Sequence, residues 1–115
     1  MDNKTGAELI AAERARQMEK EGWSEAHDDE HDDRELALAA VAYASHATQR
    51  AWLVATFPEN GLEQYQGDEA PDEWPWDPPY WKPKDPIRDL VRAGALIAAE
   101  IDRLNRLAAQ KEQRK

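Results

Sequence analysis

Residues 57–88 read FPENGLEQYQGDEAPDEWPWDPPYWKPKDPIR, and this stretch divides the chain into helical parts and a cover for them. All seven prolines of the protein lie here, with three of its five tryptophans and two of its three tyrosines. A disordered linker is rich in proline but poor in aromatics, because aromatic rings need burial. Proline together with indole predicts a long loop that is ordered and packed on the rest of the molecule. Such loops are uncommon in compact domains and usually carry function. Trp74, Trp76, Tyr80 and Trp81 can bury ~150–250 Å2 per ring, enough to close the open side of a small helical bundle.

Working outward, Asp85 and Pro86 form an N-cap with proline at the first helical position, where the missing N–H costs nothing. A helix is predicted from 86 to about 110, with an apolar stripe of Ile87, Val91, Gly94, Ile97 (or Ala98), Ile101, Leu104 and Ala108 at the 3.6-residue period. The tail at 110–115 reads as frayed. Upstream, Asp32 and Glu35 have capping-box spacing, which predicts a helix over 33–56, stopped by Pro58. Seven alanines between Ala37 and Ala51 let a neighbouring helix approach closely. Thr5 and Glu8 make another capping box for a helix over 6–21, ended by Gly22 in a left-handed turn. Its apolar stripe is thin, with Glu13, Arg14 and Gln17 beside Leu9, Ile10, Ala12 and Met18. No strand period or repeat appears. The fold class is all-α, in one domain of 115 residues.

The bulk composition narrows the function classes. A net charge of −9 argues against a duplex nucleic-acid binder, which needs a basic face to displace counterions. It suits a cationic protein partner, or a small ligand held by a few local cations. Without cysteine there are no disulfides, thiolate nucleophiles or cysteine zinc sites. No run reaches the length of a membrane span, and the N-terminus lacks a signal-peptide core, so a cytoplasmic protein is expected.

Three constellations could carry chemistry. His27, Asp28 and His31, inside the acidic run 25–35, could ligate a divalent metal if the two histidines share a helical turn. The same carboxylates would equally cap the next helix and complement its dipole. Paired Glu-x-x-Glu and Glu-x-x-Asp motifs on facing helices, which magnesium-dependent pyrophosphohydrolases need, are missing, and no nucleophile–base pair is recognisable. The third constellation joins Trp23, Trp76 and Trp81 with Arg14, Arg16, Lys84, Arg88 and Arg92. Indoles stack on planar rings while arginine and lysine hold phosphate, so this set predicts a pocket for a small anionic or nucleotide ligand. Ion pairing of those cations with the acidic run is the competing arrangement. The apolar face of the last helix also suits homodimerisation, with a pocket between protomers.

The strings ERARQMEKEGW (13–23), HDDEH (27–31), ELALAAVAYA (35–44) and WPWDPPYWKPKDPIRDLVRAGALIAAEIDRL (74–104) resemble a family of small phage and prophage proteins. The resemblance implies a phage accessory protein acting inside the host cell. A weaker resemblance, to the ryanodine-receptor repeat domain, rests on Arg16, Gly22-Trp23, Pro75-Trp76-Asp77, Lys84-Asp85 and Arg88. That domain's Tyr-Gly after Gly-Trp is absent, and the helix at 33–56 interrupts its pattern. It implies recognition of a nucleotide-derived signal. With the residue patterns above, three expectations stand: a non-enzymatic anti-defence sponge for a nucleotide signal, an acidic inhibitor that mimics nucleic acid or docks on a host nucleic-acid enzyme or defence complex, or a metal-dependent hydrolase centred on His27 and His31.

Overall fold

The computed structural model describes residues 4–22, 24–29 and 34–113, except for the His27 side chain. The helices are α1 (Gly6–Lys20), α2 (Glu25–Asp29), α3 (Glu35–Thr56), α4 (Gly61–Gly67) and α5 (Pro86–Gln113), with a 3-10 turn at Pro78–Tyr80. No strand occurs among the described residues, so the chain is all-α.

Local chemistry places the ends of the long helices. The Thr5 side chain accepts from the Glu8 amide, and Glu8 accepts from the Thr5 amide, as the capping box requires. Gly22 then takes a φ of 72° just past α1. The Arg88 amide donates to Asp85 Oδ1 at 2.7 Å, which caps α5. The start of α3 differs from expectation: its N-cap is Arg34, at a φ of 71° and without a side-chain cap bond. Asp32 lies outside the described residues. The C-terminal end also differs, since α5 continues to Gln113 where fraying was expected from 110.

The core is the α3–α5 pair, the largest contact in the molecule. Leu36, Ala39, Ala40 and Tyr43 of α3 meet Ala93, Leu96 and Ala99 of α5, and small side chains allow the close approach. α1 lies along α5, where a Cβ added at Gly94 would come within 2.5 Å of Ile10 Cδ1. Two short helices sit in segments expected to be irregular. α2 falls in the acidic run, and α4 lies in the proline-rich segment, with Tyr65 wholly buried beneath it. At the α3–α4 turn a Cβ on Gly61 would collide with the Leu53 carbonyl.

The expected core stripe of α5 requires correction. Val91 is buried, but Ile87, Ile97, Ile101 and Leu104 are exposed. The buried positions instead include Asp89, Ala93, Leu96, Glu100 and Arg103. Two of the polar members pair with each other: Arg103 Nε donates to Glu100 Oε1 at 2.5 Å, one helical turn away.

The tryptophan segment is ordered and packed, as its composition predicts. Its indoles pack on the cluster formed by α3 and α5. Trp81 is 8% exposed and stacks on Tyr43 of α3, with ring centroids 5.0 Å apart. Trp74 meets Tyr43, Trp76 and Trp81 edge-on at 5.2–5.5 Å. Such pairs add ~0.5–1.5 kcal/mol each beyond area burial. Hydrogen bonds sew the segment down at both ends: the Trp81 indole donates to the Asp68 carbonyl, and the Lys84 amide donates to both Asp89 oxygens.

Candidate functional site

Between α1 and the tryptophan segment lies a cavity of about 290 Å3. Tyr43 of α3 with Trp74, Trp76 and Tyr80 of the segment form its aromatic side, and Leu96 of α5 adds an aliphatic contact. Glu13, Arg16, Gln17 and Glu21 of α1 face them, and Lys82 and Arg92 complete the lining.

The α1 wall is organised by one buried carboxylate. Glu13 is 2% exposed, and its oxygens accept from Arg16 Nε at 2.8 Å, Arg16 Nη2 at 3.0 Å, Gln17 Nε2 at 3.2 Å and Arg88 Nη2 at 2.5 Å. Burial pushes this carboxyl up, but the hydrogen bonds and charges of Arg16 and Arg88 outweigh it and hold Glu13 below its ordinary value. Glu13 is therefore a fixed negative charge and a weak base. Arg16 also reaches Glu21 at 3.0 Å. The Glu13 hydrogen bond, followed by that of Glu21, raises the Arg16 pKa, so Arg16 remains a cation.

The opposite wall rests on a second buried carboxylate. Asp89 has no exposed surface; besides the Lys84 amide it accepts from the Tyr65 hydroxyl at 2.6 Å, and Arg92 Nη1 lies 3.4 Å away. Burial raises its pKa against those donors. Arg92 also donates to the Lys82 carbonyl at 2.8 Å, and its guanidinium stands 5.5 Å over the Tyr43 ring. Asp89 thus positions both the loop backbone and Arg92. Burial is likewise the main cause that raises the Tyr43 hydroxyl pKa.

Of the residues predicted from sequence, Arg16, Trp76 and Arg92 line the cavity. Arg88 stands behind it through Glu13. Trp81 supports the wall from the core instead of facing a ligand, and the Lys84 contacts are made by its backbone. Arg14 points elsewhere, to buried Asp28 at 2.6 Å. Trp23 lies outside the described residues. Tyr43, Glu21 and Leu96 were not anticipated; Tyr43 reads as a core residue inside an alanine-rich helix, and only the fold brings it beneath Trp74.

The acidic run is partly used internally. Asp28 holds Arg14, and Asp29 accepts from Arg106 Nη2 at 2.8 Å. Among the described residues no group of three or more His, Asp or Glu is placed to hold a metal ion. His31 lies outside the described residues, so the His27–His31 expectation does too. His46 is buried, and its Nε2 donates to the Tyr65 carbonyl at 2.9 Å, a role inside the fold. Among the described residues no helix is long and apolar enough to cross a membrane.

Neither a protein-family model, a curated protein nor a solved structure matches the chain.

Proposed function

We propose that this protein is a non-enzymatic binder that sequesters a small anionic ligand with a planar ring, of the nucleotide class. The observation that carries the reading is the cavity where Trp74, Trp76 and Tyr80 face Arg16, Lys82 and Arg92. Indole and phenol faces accept any heterocycle by stacking, worth ~1–3 kcal/mol per base. Arginine and lysine at the same cavity take phosphate oxygens. At about 290 Å3 the space sits near the ~300 Å3 lower limit of ligand pockets, which suits a mononucleotide or a small cyclic nucleotide.

Binding is favoured over proton chemistry because the buried carboxylate of the cavity is held ionised by two arginines, the opposite of a poised general base. The resemblance to small phage proteins implies an accessory role, and the weaker one to the ryanodine-receptor repeat domain implies a nucleotide-derived signal; together they motivate sequestration of such a signal from a host defence system. The acidic-inhibitor reading is weakened by Asp28 and Asp29, which pair within the chain.

Calorimetry with AMP, cyclic AMP and inorganic phosphate as probes tests the proposal. A nucleotide is expected to bind at least tenfold more tightly than phosphate, a gap of ~1.4 kcal/mol or more. Trp76→Ala and Arg92→Ala are each expected to weaken nucleotide binding about tenfold or more while the helical circular dichroism is retained. Equal, weak responses to all three probes, or variants that bind like the parent, would overturn it.

A further inference from the structure

The solvent side of α5 carries an aliphatic stripe. Ile87 is 71% exposed, Leu90 48%, Ile97 49%, Ile101 53% and Leu104 48%. Positions 87, 94 and 101 and positions 90, 97 and 104 each recur every seven residues, the register of a helix–helix seam. None of these seven-spaced positions is charged, although a third of the chain is. Ile10 of α1 covers Gly94 within the stripe.

We infer that a second copy of this chain covers the stripe, with the two α5 helices packing through Leu90, Ile97, Ile101 and Leu104 in a homodimer. The area argues for it. The exposed side chains amount to on the order of 500 Å2 of aliphatic surface, near the ~300–600 Å2 of the largest patch on a monomer and approaching the ~800 Å2 per partner of a standard interface. A two-fold contact needs a patch complementary to itself, and an uncharged aliphatic seam is one. The seam offers a basic partner no carboxylate to pair with. Two copies repel at long range, so association is expected to strengthen as salt screens them. The nucleotide cavity, on the α1–α3 side of α5, is complete without the partner, so this inference stands independently of the proposed ligand.

Sedimentation velocity on the full chain tests it, over roughly 1–100 μM, the range where a standard interface saturates. The expected mass is twice 13.1 kDa. Ile97→Lys and Ile101→Glu, made separately, are expected to weaken the dimer ~100-fold or more, since each buries a charge in the seam, while leaving helical circular dichroism unchanged. A wild-type monomer throughout would overturn the inference, as would a dimer that survives both substitutions, because another face would then be used. Unfolding of both variants would contradict it by showing the stripe to be part of the monomer core. A monomer that sediments with phosphatidylcholine vesicles would overturn it in favour of a lipid surface.

Discussion

Toward α3 and the tryptophan segment, α5 presents Asp89, Arg92, Glu100 and Arg103 among alanines; on its opposite side it presents Ile87, Leu90, Ile97, Ile101 and Leu104. Both sides thus depart from a simple amphipathic helix, with charge inside and an aliphatic stripe outside. The inner side tolerates charge because each group has a partner at a fixed place. Asp89 is held by the Lys84 amide and Tyr65, and Glu100 by Arg103. On the outer side Ile10 of α1 covers Gly94, while the aliphatic side chains around it stay exposed. The difference teaches that periodicity locates a helix well but does not say which side its own chain buries.

The largest effect is expected where the inner side meets the loop. Trp81→Ala removes the indole stacked on Tyr43 and should cost ~3–5 kcal/mol in urea unfolding. A loss under about 1 kcal/mol would mean that the indole is not core, and the inner side would lose its cover.

Next, Asp89→Ala leaves the Lys84 amide and the Tyr65 hydroxyl without their buried acceptor, at ~1–3 kcal/mol per orphaned group. Unchanged stability would break the claim that charge on this side is structural.

Glu13→Gln sharpens the comparison through pH. The folded pKa of Glu13 lies below its ordinary 4.5. Its contribution is therefore present above pH 4.5 and fades as pH falls through the folded value. Melting temperatures of parent and variant should converge on acidification and separate above pH 4.5. A gap that is the same at every pH would contradict the assignment.

The smallest effect belongs to the outer side. Ile101→Ala, measured at concentrations where the chain is monomeric, should stay within ~0.5 kcal/mol of the parent. A cost of several kcal/mol would place Ile101 in the monomer core.

Much of this was legible from residue chemistry that acts over short range. Thr5–Glu8 and Asp85–Pro86 fix helix starts by contacts within four residues, and aromatics among prolines announce a packed loop. The cavity was legible in part, through Arg16, Trp76 and Arg92. What stayed hidden depends on partners distant in sequence. Glu13 finds Arg88 seventy-five residues away, and Asp89 finds Tyr65 twenty-four away. Tyr43 becomes a pocket wall only because Trp74 and Trp81 descend on it. Trp81 and Lys84 were misread because composition shows which side chains are available, not whether the fold uses their face, their rim or their backbone.

Everything proposed for the cavity requires that the tryptophan segment be held against α3 and α5. Amide hydrogen exchange at Lys84 tests this most directly, because that amide lies outside any helix and is protected only by the buried Asp89 carboxylate. The account predicts that the Lys84 amide exchanges as slowly as amides in the middle of α5. Exchange as fast as that of residues 110–113 would contradict it, because the segment would then be detached and the cavity would lack a wall.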